Sequence, residues 1–461
     1  MAIVFGLWAF SATGTLIEKD AYQNLSMAYN LVHHGVMSMD TDRAPEKLRP
    51  SRYREPLPIW VTAAYLRVFD DRLGDKPLNA LLEGPDAQLL KHTNVPWSLL
   101  LLGLVALSAL HITGSKWMSG LAVLLTYWPL VEHYDELYTE IPGAALLVLV
   151  SYMSWRVMKE KRARDFFGAG LAFGALILTK ASFLYVAIAL IFIYAGFELF
   201  LSRDAMARRT LFRSVALAIV GTIIVVAPWM LRNQLQFGSP SIADRGGLVL
   251  LTRAIKNQMT HEEYIGAFYV YAPYVLRGPI GFITGFKNED VHAGGRLERL
   301  RRNANVDHDD AAADEGRLQD VISYYYRAKA MRTPILAQLN TAEHPNALAE
   351  ADAQLQKEAI RMIKAHPGDH LAMILPFMVR GAFYMFPVFC FMLIYAWRRR
   401  DTALVAYVLP SLGLICFYAL VSHFIMRYAD PSAPIMSICG VVLLHHWLEK
   451  RRVRRLQPAP A

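Results

Sequence analysis

Residues 2–20, AIVFGLWAFSATGTLIEKD, run apolar from Ala2 to Ile17 and then turn at once to Glu18, Lys19 and Asp20. An apolar stretch of this length suits a lipid-spanning helix, so it sets a carboxylate where the chain leaves the membrane. Outward from it the same pattern repeats. Apolar blocks near 96–113, 117–131, 141–157, 166–179, 182–200, 211–231, 372–396, 402–421 and 432–448, together with 2–17, predict about ten membrane helices. Glu18-Lys19-Asp20-Ala21-Tyr22 is read as the opening of a polar loop, followed by a short helix at Ser26–Leu31 with its stop at Gly35 and Ser38.

Composition agrees with an all-α polytopic membrane protein. Of 461 residues 54% are hydrophobic, and they gather in blocks rather than in the spread pattern of soluble amphipathic helices. A formal net charge of +9 would point a soluble protein toward nucleic acid. Here the basic residues form short clusters between apolar blocks, so they are read as topology determinants and membrane-lipid contacts, with no nucleic-acid partner. The first segment lacks a charged leading region and a small-residue cleavage site, so it is read as a retained helix, with a short cytoplasmic start or some residues missing upstream. Cys390, Cys416 and Cys439 all lie in apolar blocks and build neither a disulfide framework nor a metal motif.

Lys and Arg in short loops mark the cytoplasmic side. Alternating from a cytoplasmic N-terminus, Lys159–Arg164, Arg203–Arg209, Arg398–Arg400 and Lys450–Arg455 all fall inside, and the C-terminus is cytoplasmic too. The outer face then holds the 18–95 loop, His133–Glu140, Lys180–Ser182, the long 232–371 region and His423–Pro431. This divides the chain into a catalytic membrane module at 1–231, an extracytoplasmic subdomain at 232–371, and C-terminal helices with a basic tail at 372–461. Within the first loop Pro58–Phe69 suits a helix lying in the interface. Within 232–371, Gln319–Met331 and Ala347–Ala365 are helical in pattern, while the charged stretch Arg296–Arg317 is expected to be a mobile loop. No internal repeat of the kind common in transporters is evident.

Carboxylates and cations both collect on the outer face. Glu18 and Asp20 follow the first helix; Glu132, Asp135, Glu136 and Glu140 lie between the third and fourth. Capping and solvation account for Glu132, Asp135 and Glu136, whereas Asp20 and Glu140 stand at the membrane boundary, where ionisable groups tend to be used. The cations are Arg52, Arg54, Lys180, Arg232, Arg245 and Arg427. A phosphate held at the interface needs cations without competing counter-ions, and the planar fork of Arg suits it. Lys180 and Arg427 are each the sole basic residue of a short outer loop, against the charge bias; snorkelling toward headgroups is the plain alternative. His33-His34, His133, His423 and His445-His446 lack metal-site spacing.

Taken in order, several pieces resemble the C-type (GT-C) integral-membrane glycosyltransferases, especially the bacterial branch of protein mannosyltransferases and the aminoarabinose transferase of lipid A. They are Asp20-Ala21 with Ala28, Asn30-Leu31 and Gly35; Arg54-Glu55-Pro56-Leu57-Pro58; Trp128-Pro129 with Thr139-Glu140; Ala227–Asn233 with Phe237-Gly238 and Gly246-Gly247; and Arg427-Tyr428 with Pro431 and Pro434. The resemblance implies a donor sugar on a polyprenyl phosphate, passed to a glycan, lipid or protein acceptor on the outer face; the short inside loops suit a bacterial plasma (inner) membrane. The resemblance places the catalytic acid at Asp20, with Glu18 and Glu140 as further acidic candidates, and phosphate ligands among Arg54, Arg52, Lys180, Arg232 and Arg427. The chain departs from the family in separating its acids as Glu18-Lys19-Asp20. It also carries Glu55 where relatives of the aminoarabinose enzyme have Lys before the loop proline. No cofactor is required by this chemistry, though some family members use a divalent cation (Mg or Mn), for which Glu140 is the candidate holder. Two rival readings stay open, a transporter or flippase of lipid-linked glycans and a non-catalytic relative, with a ligase using diphosphate-linked polymer as the nearer alternative among enzymes.

Overall fold

The computed structural model describes residues 6, 11–41, 43–201, 205–339 and 347–456, without the side chains of 197–201, 205–211 and 454–456. Its longer elements are α1 Lys19–His34, α2 Pro56–Val68, α3 Gly84–Lys91, α4 Asn94–Thr113, α5 Lys116–Tyr134, α6 Glu140–Glu160, α7 Ala163–Thr179, α8 Ser182–Leu201 and α9 Ala205–Phe237. They continue with α10 Gly246–Ala254, α11 His261–Tyr271, α12 Tyr274–Thr284, α13 Val306–Asp314, α14 Tyr324–Gln338, α15 Ala347–Ala365, α16 Pro367–Ala372, α17 Ile374–Ala382, α18 Met385–Arg399, α19 Thr402–Val421, α20 Met426–Ala429 and α21 Ala433–Leu456. Among the described residues there is no strand.

Helices stand at each expected membrane block from 96–113 onward. By length and hydropathy five described stretches are able to cross a membrane: Gly84–Thr113, Glu140–Glu160, Phe212–Phe237, Thr402–Val421 and Met426–Val453. A sixth appears if the bent pair Pro367–Ala382 and Met385–Arg399 is one span. α7 has 17 residues, about 26 Å at 1.5 Å per residue against a hydrocarbon core of about 30 Å. The block expected at 372–396 breaks between Ala382 and Met385, because Pro387 has no amide to offer the carbonyl four residues back.

The expected helix at 2–17 lies mostly outside the described residues, but its last part differs from expectation. Residues 12–18 are not helical; the Ile17 amide donates to the Leu82 carbonyl at 2.8 Å, and the Gly84 amide to the Gly14 carbonyl at 2.8 Å. The Lys91 ammonium, fully buried, reaches Thr15 Oγ1 at 2.7 Å and Asp135 Oδ1 at 3.2 Å, and Thr13 Oγ1 donates to Asp135 at 2.6 Å. Asp135 therefore anchors this segment. Thr13, Gly14 and Thr15 explain why helix gives way here: they hold the backbone poorly in a helix, and the threonines hydrogen-bond locally instead.

Two units make up the molecule, one of residues 1–242, 384–414 and 430–461, the other of 243–383 and 415–429. The core of the first is α6, buried along most of its length, with α7 against α9. Gly170 makes that approach possible, since a Cβ there would stand 2.0 Å from the Ala218 carbonyl oxygen. Small residues four apart, Gly170 and Gly174, let the two backbones meet as membrane helices often do.

In the second unit the Asp352 carboxylate of α15 accepts from the Gly247 and Leu248 amides at 2.8 and 3.0 Å, capping α10 from another helix. The stretch Arg296–Arg317, expected to be mobile, is folded. It contains a 3-10 turn at Glu298–Leu300 and then α13, whose fully buried Asp309 accepts from the Ile322 and Ser323 amides at 2.9 and 2.8 Å. The same two bonds commit residues 322–323 to a turn, so the helix expected from Gln319 begins at Tyr324.

Candidate functional site

Asp20 sits in the first turn of a helix, not in a loop. Ala21, Leu25, Ala28 and Val32 recur on one face and are buried, and no glycine or proline interrupts them before Gly35, which ends α1 at φ 68°. The helix therefore starts seven residues earlier than the Ser26 expected from sequence. A carboxylate in a first turn faces the positive end of the helix dipole. The entry is strained: Lys19 adopts φ 55°, a left-handed conformation costly for a residue with a Cβ.

Asp20 and Arg54 come together. Arg54 Nη1 donates to Asp20 Oδ1 at 3.0 Å, and its Nε donates to Asn24 Oδ1 at 3.0 Å. Asn24 is one turn beyond Asp20, so a single guanidinium bridges two residues of the same helix face. Asn24 in turn donates to the Leu137 carbonyl at 2.8 Å. Arg54 is 4% exposed, which leaves the carboxylate as the wetter partner.

A second pair lies beside this one. Lys180 Nζ, at the end of α7, stands 3.4 Å from Glu140 Oε1 at the start of α6, and both side chains are buried. Gly143, one turn into α6, makes room: a Cβ there would lie 3.2 Å from Lys180 Cε and 3.8 Å from Pro431 Cγ. Next to Pro431, Asp430 meets His133 Nε2 at 2.6 Å, and Lys180 and Glu140 both act on it electrostatically. Glu55 links the two pairs. Its Oε1 accepts from the Ala181 amide at 3.3 Å, and both Lys180 and Asp20 contribute to its field.

Burial pushes the Glu55 carboxyl above its ordinary 4.5, while two backbone amides and Lys180 pull it down and Asp20 adds to the rise. A carboxyl with a raised folded-state pKa contributes stability that is complete below its unfolded value and is lost as pH rises through the folded value. The native chain should therefore lose stability as pH climbs from about 4.5, and Glu55→Gln should remove that component. The check is the thermal midpoint of both proteins in detergent from pH 4.5 to 8; parallel curves would contradict the assignment.

The remaining candidates fall elsewhere. Glu18 is exposed and paired with Lys19, outside the buried group. Arg52 and Arg232 form a separate cationic pair on one aromatic ring, their guanidinium carbons 4.7 and 5.3 Å from the Phe237 centroid. Arg232 also lies 4.6 Å from the Trp229 centroid and donates to Asn233 Oδ1 at 2.8 Å. It borders a cavity of about 340 Å³ lined by Trp60, Trp229, Pro228 and Leu31 among others. Arg245 and Arg427 belong to the second unit. Four residues of the group are not site candidates from sequence. Asn24 would have been found by extending α1 back one turn; Glu55 was noted as a departure, but its contact with Ala181 carries no local signal; Asp430 and His133 are separated by almost 300 residues.

The acids of this arrangement face basic side chains. Glu140, the residue expected to hold a divalent cation, faces the Lys180 ammonium, and Asp20 and Asp430 face Arg54 and His133. Among the described residues no group of three or more His, Cys, Asp or Glu side chains is placed to bind a metal.

These observations define a polytopic α-helical membrane protein with a buried, charge-paired polar group at the ends of its helices. No family model matches the sequence, and no curated protein matches it. Solved structures that it is similar to include the archaeal oligosaccharyltransferase AglB of Archaeoglobus fulgidus, in complex with an inhibitory peptide and a dolichol-phosphate, at 10% identity and a TM-score of 0.48 over 100% of this chain. The chain spans about half, 52%, of that protein's length. They also include ArnT of Cupriavidus metallidurans bound to undecaprenyl phosphate, at 14% identity and a TM-score of 0.41 over 94% of this chain and 76% of that one. A third is the arabinosyltransferase EmbB of Mycobacterium smegmatis, at 14% identity and a TM-score of 0.36 over 100% of this chain and 41% of that one.

Proposed function

We propose that the chain is a GT-C-like membrane glycosyltransferase that moves a sugar from a polyprenyl-phosphate donor to a glycan, lipid or protein acceptor, on the extracytoplasmic face of a bacterial inner membrane. The observation that carries this reading is the clamp on Asp20: a partly exposed carboxylate held by a buried guanidinium that is itself fixed through Asn24. An acceptor hydroxyl must lose its proton as it attacks the anomeric carbon, and a positioned carboxylate is suited to take it. Asp20 accepts that proton. The new C1–O bond forms as the bond from C1 to the phosphate oxygen breaks, and the electron pair leaves with the lipid phosphate. Direct displacement inverts the anomeric carbon.

The five cations expected to meet the donor phosphate are not equivalent in this role. Arg54 and Lys180 face carboxylates, so their charge is already balanced. Arg232 has no carboxylate among its described contacts, which are the Ser51 carbonyl, the Asn233 side-chain oxygen and two aromatic faces. With Arg52 beside it and an aromatic cavity at hand, it is the best placed of the first unit's cations to offset charge on a departing phosphate. Lys180 and Glu140 then orient the neighbouring groups, and Arg54 positions the base.

The test uses the purified chain in nanodiscs, with radiolabelled polyprenyl-monophosphate sugars and an extract of membrane lipids, glycans and proteins as acceptors. Label should move from a monophosphate donor to one acceptor class. Transfer from diphosphate-linked sugars only would replace the donor class, and no transfer from either would overturn the enzymatic reading.

A further inference from the structure

The second unit holds a concentration of positive charge that sugar transfer at Asp20 does not use. Lys256, in the 3-10 turn Ile255–Gln258, is 3% exposed, and its ammonium lies 5.0 Å from the Phe377 centroid and 5.8 Å from that of Tyr271. Arg380 stacks on the same Tyr271, its guanidinium carbon 4.6 Å from the centroid. Arg302 lies 4.4 Å from the Tyr325 centroid, and Tyr325 meets the His423 ring edge-on at 5.8 Å.

Among the described residues Arg380 has no carboxylate partner, and Asp310 is the one carboxylate that acts on Arg302. Lys256 has no ion pair among the described residues, and the charges acting on it, Arg380 and Arg253, share its sign. Burial and then these two hold the Lys256 ammonium well below its usual range. His423 is depressed in the same way by burial, then by Lys256, Arg380, Arg302 and Arg427. Two buried atoms have no hydrogen-bond partner: His423 Nδ1 and Asn257 Nδ2, the latter on the residue next to Lys256. Ring faces offset part of the hydration that a buried ammonium loses, but they do not neutralise several like charges brought together, and buried charge is ordinarily paired.

We infer that the second unit holds a built site for a phosphate group, formed by Lys256, Arg380 and Arg302 about His423. Phosphate fits better than a carboxylate or a halide. The cations come from three separate segments, so a tetrahedral oxyanion can take donors from several directions, and its double charge matches more than one cation. Asn257 Nδ2 supplies a neutral donor of the same kind. The site does not depend on the sugar-transfer reading, since none of its residues belongs to the group at Asp20.

The experiment is binding to the full chain in nanodiscs, with inorganic phosphate and a short-chain polyprenyl phosphate as separate probes, read by radiolabel retention and by the shift in thermal midpoint. Native protein should bind at least one probe. Lys256→Gln and Arg302→Gln should each weaken that binding at least ten-fold, while Arg361→Gln, which changes an exposed arginine paired with Glu358, should leave it in place. Arg302 is exposed, so its variant keeps the test decisive if Lys256→Gln fails to fold. Displacement of the lipid probe by inorganic phosphate would assign the site to a lipid-borne phosphate; binding of inorganic phosphate without competition from the lipid would assign it to a soluble one. Failure of both probes to bind native protein at millimolar concentration, or equal binding by native and both variants, would overturn the assignment.

Discussion

Asp20→Asn should lower sugar transfer by about 100-fold or more, the range expected when a positioned general base is lost, with little change in the fold. The amide keeps the shape of the carboxylate and still offers an oxygen to Arg54 Nη1, 3.0 Å away in the native protein. Arg54 also keeps its second bond, to Asn24. What the variant loses is the capacity to take a proton from the acceptor hydroxyl. The measurement is initial transfer rate in nanodiscs, with the circular dichroism and thermal midpoint of both proteins as controls. A rate within about three-fold of native, in a folded variant, would remove Asp20 from the reaction and move attention to Glu140. The distinction from a binding defect lies in the donor dependence: loss of a base lowers the maximal rate and leaves half-saturation by donor nearly unchanged.

That this residue stands out in the sequence, while its pairing does not, follows from the range of the forces involved. A carboxylate directly after an apolar run is a local feature, visible in residues 2–20 alone. Lys180 was also legible, as a lone cation on the face that the charge bias reserves for few. The pairings were not. Arg54 lies 34 residues from Asp20 and Lys180 lies 40 from Glu140, and nothing in hydropathy or spacing says which cation meets which acid. The start of α1 differs from the sequence expectation because Glu18-Lys19-Asp20 is polar enough to look like loop, yet the buried face from Ala21 to Val32 continues the helix back to Lys19. Arg296–Arg317 differs for the opposite reason. Its charge suggested a solvated loop, but Asp309 folds it by satisfying two amides some 13 residues away, a bond that composition does not display. Positions of helices are legible because lipid imposes length and apolarity on each one separately. Their junctions, where the charged pairs lie, are not.

Glu140→Gln should destabilise the protein by about 1–3 kcal/mol, the cost of removing a charged partner from the buried Lys180 ammonium while Asp430 and Glu55 still act on it. Both side chains are under a tenth exposed, so solvent cannot take the place of the missing charge at the Lys180 ammonium. The thermal midpoint in detergent should fall clearly, and it should recover in the double variant Glu140→Leu with Lys180→Met, because exchanging a whole buried pair for apolar side chains is often neutral or stabilising. Transfer separates the two roles of the pair. If Lys180 and Glu140 serve only to hold α6 against α7, the double variant regains activity together with stability. If they orient the groups around Glu55, as the Ala181 amide contact and the shared field imply, the double variant is as stable as native and still transfers poorly. A single variant with an unchanged midpoint would mean that the pair is not closed in the membrane, and the electrostatic connection from Asp20 through Glu55 to Lys180 would go with it.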